Sequence, residues 1–148
     1  MVMEVVEGTM TAIPWKKILC PVDFTDDSRP AVRVACDLAA RFGAELVLFH
    51  ADSKERVAQA AQRGDLATWK RDAEALGAAR VGTASQAGDP GVLIPELAAS
   101  GGFDLVVMAT HGRIGRGHML AGSVTEEAVR CCLVPVLTVH ADWAPRAG

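Results

Sequence analysis

Short apolar runs alternate with helical segments along most of this chain, and this alternation limits the folds open to it. Four runs, at residues 16–22, 45–51, 103–109 and 134–140, have the nearly unbroken apolar character of strands covered on both faces of a parallel sheet. A half-polar run at residues 79–86 is predicted to be a strand at the edge of the same sheet. The pattern therefore predicts an α/β fold.

Between the earlier runs, apolar residues recur at the spacing of an amphipathic helix. Residues 28–42 predict a first helix, and Gly43 is its predicted C-terminal cap. Residues 53–77 carry two apolar stripes that are interrupted near Gly64, so a broken or bent helix is expected there.

The two later helices have local start signals. Asp89 is the predicted N-cap and Pro90 the first residue of a short helix, in which Pro95 would have to fall near the first turn. The motif S-V-T-E that begins at Ser123 is a capping box, with a glutamate three residues after the serine. We therefore predict that the last helix starts at Ser123 and continues to about Cys132.

Strands that alternate with helices form a mainly parallel sheet, with right-handed crossovers that place helices on both faces. The predicted class is a doubly wound, Rossmann-like α/β fold. At 148 residues the chain has the length of one ordinary domain. We place this domain at residues 15–141, between an N-terminal extension at residues 1–14 and a C-terminal tail at residues 142–148.

The composition argues against polyanion binding and against membrane insertion. A formal net charge of -3 gives no basic footprint for nucleic acid or for an anionic membrane surface. The apolar runs are much shorter than the roughly 20 residues that cross a bilayer. Glu4 and Glu7 stand where a signal peptide would carry basic residues. We expect no nucleic acid partner, no membrane partner and a cytoplasmic location.

The four cysteines show neither a disulfide framework nor a zinc pattern. The chain has no C-x-x-C motif and no cluster of cysteine and histidine at zinc spacing. We expect reduced, mostly buried thiols, as in a cytosolic protein, and no metal site. The cysteines are Cys20, Cys36, Cys131 and Cys132.

No set of residues has the pattern of a catalytic centre. The sequence lacks a G-x-S-x-G elbow, and no nucleophile and base can be paired. The four histidines are scattered along the chain, with no pair at the spacing of metal ligands, so structural or solvent roles are expected for them. His111 keeps a catalytic alternative because it lies inside the loop after the fourth run. We therefore predict that the protein is not an enzyme. The histidines are His50, His111, His118 and His140.

The loop after the fourth apolar run, residues 110–122, is the most informative segment. Its glycines, among them Gly112 and Gly122, permit a close backbone approach to a ligand. The helix predicted to begin at Ser123 would direct unpaired amides toward this loop, which is the arrangement that binds phosphate. The simpler alternative is that the glycines only turn the chain and that Ser123 only caps its helix.

Charged and hydroxyl side chains in the same segment would support a bound phosphate. Arg113 and Arg116 add positive charge, and the hydroxyls of Ser123 and Thr125 could donate to phosphate oxygens or assist a metal ion. Neither a Walker lysine loop nor a G-x-G-x-x-G motif after the first strand is present.

Asp23 directly follows the first predicted strand, and ligands of doubly wound sheets bind beyond the carboxyl ends of the strands. Its carboxylate could accept a hydrogen bond from a ribose hydroxyl or anchor a divalent cation that is bound to phosphate. The alternative is that Asp23 is the N-cap of the first helix.

Three segments carry a family resemblance: ILCPVDF at 18–24, VVMATHGRIGRGHMLAGSVTEEAVR at 106–130 and VPVLTV at 134–139. Together they resemble the universal stress protein family over roughly residues 15 to 140. The ATP-binding branch of that family has the motif G-x2-G-x9-G-[ST]. Here Gly112, Gly122 and Ser123 fit its spacing, and Ala109 stands at the position of the first glycine.

The resemblance implies a nucleotide site at the carboxyl ends of the strands. The residues implied to contact the adenosine are Pro21, Val22, Asp23, Ala51, Met108 and Ala109. Those implied to hold the phosphates are Gly112, Gly122, Ser123 and Val124, with Arg113 adding charge in the same loop. The ligand would be ATP, alone or with Mg²⁺. The resemblance also implies a five-stranded sheet in the order 3-2-1-4-5 and a homodimer paired through the last strand, residues 134–140.

Three functions follow from these observations. The first is a regulatory homodimer in the stress response that binds ATP, hydrolyses it slowly or not at all, and signals to an unknown protein partner. The second is a stress-response interaction protein that binds no nucleotide, for which Ala109 is the main support. The third is a slow ATPase or nucleotidyl transferase on the same scaffold, since a fold does not determine a function.

Overall fold

The computed structural model describes residues 2–3, 15–52, 65–110 and 119–147, and of residues 119–123 the backbone alone. In these ranges, strands and helices alternate as the sequence predicts. In chain order the elements are β1 (Lys17–Pro21), α1 (Arg29–Phe42), β2 (Glu45–Asp52), α2 (Leu66–Ala75), β3 (Val81–Ala87), α3 (Pro90–Ser100), β4 (Leu105–Thr110), α4 (Met119–Cys131) and β5 (Val136–His140), with a 3-10 turn (Asp26–Ser28) before α1.

The five strands form one parallel sheet in the order β3-β2-β1-β4-β5, which confirms the predicted topology. The central strand β1 pairs with β2 on one side and with β4 on the other: Ile18 lies opposite Leu46 and opposite Leu105. The chain therefore reverses its direction of winding between β1 and β4. In a doubly wound sheet this switch point is where ligands bind.

The core has two parts, one on each face of the sheet, because successive strand residues point to opposite faces. On one face, Cys20, Leu48 and Val107 pack against α1 and α2, which contribute Ala35 and Trp69. On the other face, Leu19, Phe49 and Val106 pack against α3 and α4, which contribute Ile94 and Ala128. Helices thus cover both faces, as predicted.

Local signals account for the ends of α1 and α3. Gly43 ends α1 in the left-handed conformation, at φ 63°, and its amide donates to the carbonyl of Ala39. Asp89 caps α3 by accepting a hydrogen bond from the amide of Gly91 at 2.9 Å, and Pro90 is the first helical residue. Both predicted caps are confirmed.

Pro95 lies further inside α3 than the sequence suggests, beyond the first turn of the helix. A proline there removes one intrahelical hydrogen bond and costs stability. The buried side chains on either side of it, Ile94 and Ala98, pack against the sheet and keep the segment helical. Tertiary packing therefore overrides the local preference.

The start of α4 differs from the prediction. The helix begins at Met119, so Ser123 lies within it and is not its N-cap. Met119, Leu120 and Ala121 all favour helix, and they extend the helix backward past the capping box.

The predicted bent helix at residues 53–77 is described only in its second half. That half is α2, whose N-cap Asp65 accepts a hydrogen bond from the amide of Thr68 at 2.8 Å. Residues 53–64, including the predicted break near Gly64, lie outside the described residues. None of the helices in the described ranges has the length and apolar character needed to cross a membrane.

Candidate functional site

The ends of three neighbouring strands bring together the residues implied to contact a nucleoside. Pro21, at the end of β1, lies opposite Phe49 of β2, and the amide of Val22 donates to the carbonyl of Phe49 at 2.8 Å. Ala51 lies near the end of β2, and Met108 and Ala109 lie near the end of β4. These residues and Asp23 therefore lie along one edge of the sheet, here called the carboxyl edge, at the switch point.

Asp23 is held by the turn that follows it. Its Oδ1 accepts hydrogen bonds from the amide of Thr25 at 2.9 Å, from Thr25 Oγ1 at 2.6 Å and from Ser28 Oγ at 2.7 Å. Its backbone amide donates to Ser28 Oγ at 3.3 Å. The N-cap position of α1 is Ser28. Asp23 thus organises the turn before α1. The alternative that Asp23 is the N-cap of this helix is wrong.

Phe24 has a backbone conformation that is rare for a residue with a side chain. Its φ is 64°, and it is the only non-glycine residue with a positive φ in the described part of the chain. Its ring lies 4.3 Å from the ring of His50 and 5.9 Å from that of Trp69, measured between centroids. Such strain persists only where the surrounding contacts hold it, and it concentrates at functional sites.

His50 joins the ends of β1 and β2. It is 8% exposed, its Nδ1 lies 2.9 Å from the carbonyl oxygen of Val22, and its Nε2 lies 3.1 Å from Asp52 Oδ1. Both neighbours are acceptors, so each ring nitrogen of His50 lies within hydrogen-bonding distance of an oxygen atom. The expected structural role is therefore confirmed for His50.

Ala109, which replaces the first glycine of the family motif, directs its side chain away from α4. Its methyl group packs with the part of the core that α1 and α2 cover. Its carbonyl oxygen accepts a hydrogen bond from Thr125 Oγ1 of α4 at 3.1 Å. The additional methyl group therefore does not lie between β4 and α4.

Thr125 has a different partner from the one that the sequence suggests. It is 8% exposed, and its single hydroxyl proton is donated to Ala109, so it is not presented to a phosphate. Val124 is partly buried and packs with the α3 and α4 side of the core, where Met108 also lies. Both residues fix α4 against the end of β4.

The residues implied to hold the phosphates are described only in part. Gly122 and Ser123 lie in α4, beyond its first turn, where backbone amides find partners within the helix. The prediction that the helix begins at Ser123 is therefore wrong, whereas contact of these two residues with a phosphate stays a prediction. Gly112, Arg113 and Arg116, together with His111 and His118, lie outside the described residues.

The cysteines are free thiols, as expected, but only Cys20 and Cys36 are buried, whereas Cys132 is partly buried and Cys131 is exposed. Burial raises the pKa of Cys20 far above its usual range and that of Cys36 to about 11, so both are uncharged at neutral pH. A hydrogen bond to Glu127 raises the pKa of the exposed Cys131. The part of the chain that the structure describes contains no group of three or more histidine, cysteine or acidic residues that could hold a metal ion.

Two residues of this edge were not singled out as site residues by the sequence analysis. Ser28 could have been found from the pattern D-x-T-x-x-S, in which hydroxyls follow an aspartate at turn spacing. His50 could have been found as a polar residue at the end of an apolar run, because a buried imidazole needs partners.

The model of the universal stress protein family matches residues 14–140 of this chain. The chain belongs to this family. A universal stress protein of Methanocaldococcus jannaschii is 31% identical over 140 residues, which cover 84% of this chain and 82% of that protein.

Solved structures of universal stress proteins share the fold. One, a universal stress protein in complex with cAMP, is 27% identical, has a TM-score of 0.73, and covers 87% of this chain and 99% of its own. Another, the universal stress protein from Archaeoglobus fulgidus in complex with dAMP, is 17% identical with a TM-score of 0.66 and covers 84% of this chain and 98% of its own.

Proposed function

We propose that this universal stress protein is a regulatory homodimer that binds an adenine nucleotide, ATP alone or with Mg²⁺, at the carboxyl edge of its sheet. It would belong to the ATP-binding branch of the family, act in the stress response through an unknown protein partner, and hydrolyse ATP slowly or not at all. The cytoplasmic location remains part of this proposal and rests on the sequence.

The convergence at the switch point is the observation that carries the proposal. Asp23 follows β1, and Ala51 and Met108 lie near the ends of β2 and β4, so all three lie at the edge of the sheet where doubly wound folds bind ligands. The packing of the Ala109 methyl group on the α1 and α2 side of the sheet, away from α4, also supports the proposal. The solved structures of universal stress proteins in complex with cAMP and dAMP support an adenine nucleotide as the ligand class.

The hydrogen bonds that the Asp23 carboxylate already accepts make it better suited to binding a nucleoside than a metal ion. Oδ1 already accepts three hydrogen bonds from Thr25 and Ser28, and bidentate binding of a cation would need that oxygen. A ribose hydroxyl or a base amino group needs only one acceptor atom. Mg²⁺ would therefore enter with the phosphates, and nucleoside binding would not depend on it.

A binding role is favoured over turnover by how the polar groups of this edge are engaged. His50 is held between Val22 and Asp52, and Asp23 is held by its own turn. A general base must be within reach of the attacking water and able to take its proton. His50 and Asp23 would have to give up contacts within the fold to do so.

The proposed homodimer would use β5, an edge strand of the sheet. Apolar side chains are exposed in this strand, in the segment before it and on α4: Leu137 is 39% exposed, Leu133 95% and Val129 56%. An apolar surface beside an unpaired strand edge is stabilised when a second strand covers it. Two copies of β5 would provide that cover to each other.

The test is a calorimetric titration of the nucleotide-stripped full-length chain with ATP, AMP and cAMP, each with Mg²⁺ and with EDTA. We expect micromolar binding of at least one of them, with the AMP affinity unchanged by EDTA. Asp23→Ala should weaken binding about tenfold or more. Asp37→Ala, which removes an exposed carboxylate of α1, is the matched control and should bind as the unmodified chain does.

Absence of binding by the unmodified chain would overturn the proposal. The protein would then act through protein contacts alone, as in the nucleotide-free alternative. Steady release of phosphate from ATP that is lost in Asp23→Ala would instead favour the ATPase alternative.

A further inference from the structure

A buried hydroxyl is bonded to Asp23 in both directions. Ser28 is 5% exposed, its Oγ donates to Asp23 Oδ1 at 2.7 Å, and the same Oγ accepts from the amide of Asp23 at 3.3 Å. The two bonds close a ring that includes both the backbone and the carboxylate of Asp23. Neither group can rotate without breaking one of these bonds.

We propose that Ser28 is a positioning residue of the nucleotide site, which holds the Asp23 carboxylate in the orientation that accepts a hydrogen bond from the nucleoside. This inference rests on the proposed function. Ser28 acts through Asp23, and its hydroxyl is engaged by Asp23 rather than by the ligand.

The conformation of the turn shows why a restraint is needed. Phe24, directly after Asp23, has a φ of 64°, which is unfavourable for a residue with a side chain. Without the bonds across the turn, relaxation of Phe24 would rotate the neighbouring Asp23. The Ser28 hydroxyl bridges this strained residue from the far side of the turn and so opposes the rotation.

Thr25 contributes a second restraint to the same carboxylate. Its amide and its hydroxyl both donate to Asp23 Oδ1, at 2.9 Å and 2.6 Å. Three donors on one oxygen fix the plane of the carboxylate as well as its position. A carboxylate held in this way loses little conformational entropy when a ligand binds, and this lowers the cost of binding.

The test is a double-mutant cycle on AMP affinity in the full-length chain, with the unmodified protein, Ser28→Ala, Asp23→Ala and the double variant. We expect Ser28→Ala to weaken AMP binding about tenfold. In the Asp23→Ala background, the same change should alter the affinity by less than about twofold, because the residue through which Ser28 acts is absent.

A control separates positioning from loss of stability. Ala39→Gly removes a buried methyl group at the other end of α1, so it destabilises the fold without touching the turn. It should lower the melting temperature and leave AMP affinity unchanged. If Ser28→Ala does not fold, Thr25→Val removes one of the other donors to Oδ1 and should give the same non-additivity with Asp23→Ala.

Two results would overturn the inference while leaving the proposed function intact. One is an unmodified protein that binds AMP and a Ser28→Ala variant that binds it equally well. The other is an equal loss from Ser28→Ala in both backgrounds, which would show that Ser28 acts independently of Asp23. Failure of the unmodified protein to bind any nucleotide would overturn the proposed function and this inference with it.

Discussion

The hydroxyl of Thr125 donates a hydrogen bond to the carbonyl oxygen of Ala109 at 3.1 Å, and this bond joins α4 to the end of β4. Thr125 is buried, and Ala109 is the residue that departs from the glycine of the family motif. The bond therefore fixes the backbone at the position where this chain has an alanine and the family motif has a glycine.

We predict that Thr125→Val lowers the free energy of unfolding by about 1–2 kcal/mol, because it leaves the Ala109 carbonyl without its hydroxyl donor while preserving the shape of the side chain. Urea denaturation followed by circular dichroism measures this. Thr83→Val, on the exposed surface of β3, is the control and should change stability by less than about 0.5 kcal/mol. Equal effects from the two changes would contradict a role for the bond.

The C-terminal cap of α1 gives a second prediction. Gly43→Ala should destabilise the protein by about 1 kcal/mol, because an alanine there must adopt the φ of 63°. Among the residues that the structure describes, no heavy atom outside its chain neighbours lies within 4 Å of the added Cβ, so the cost is one of backbone conformation rather than of a clash.

Two further variants test whether the left-handed backbone conformation is the cause of the destabilisation. Gly43→Asn should cost less than Gly43→Ala, since asparagine tolerates the left-handed region better. At Gly82 an added Cβ meets only ordinary contacts at 3.7 Å and the φ is not positive, so Gly82→Ala should not be strained. Thermal or urea unfolding of the three variants decides the point, and a Gly82→Ala cost as large as that of Gly43→Ala would contradict it.

The buried thiols predict a loss of stability at alkaline pH. Burial raises the pKa of Cys36 in the folded protein to about 11, above the value of about 8.5 expected for an unfolded chain. The contribution of the neutral thiol is therefore fully present below about pH 8.5 and is lost as the pH rises toward 11. The loss should be on the order of 1 kcal/mol by pH 10.

Urea denaturation between pH 7.5 and about pH 10 measures this dependence. Cys36→Ala should have a lower stability at neutral pH, because the change leaves a small cavity, but a shallower decline with pH. A Cys36→Ala variant whose stability falls with pH as steeply as that of the unmodified protein would contradict the assignment.

The parts of the fold that the sequence predicts correctly are those with strong local signals. The unbroken apolar runs identify the strands, and Gly43, Asp89 and Pro90 mark helix ends through their own backbone preferences. The order of the strands was implied by the family resemblance alone, and the structure has that order.

The start of α4 could not be predicted from local signals, because two of them compete. The capping box places the start at Ser123, and the helix-favouring residues before it place it earlier, at Met119. The resolution depends on how α4 packs against β4, where Thr125 reaches the carbonyl of Ala109. That contact joins residues from separate elements and cannot be inferred from spacing.

The turn at Asp23 was predictable in position but not in geometry. The place of Asp23 at a strand end follows from the sequence, but a phenylalanine gives no indication of a positive φ, since that region favours glycine, asparagine and aspartate. The three donors to Asp23 Oδ1 depend on this conformation of Phe24. The sequence alone therefore does not distinguish a ligand-binding role of Asp23 from a helix-capping role.

The edge strand β5 gives the last prediction. Leu137→Lys places a charge on the exposed apolar surface of β5, where a second copy would have to bury it. We expect the unmodified chain to be a dimer in size-exclusion chromatography with light scattering, and Leu137→Lys to weaken dimerisation at least tenfold. Thr83→Lys adds the same charge to β3, the opposite edge strand, and should remain a dimer. Since β3 and β5 are the two edges of one sheet, a dimer that survives Leu137→Lys and dissociates with Thr83→Lys would assign the interface to β3.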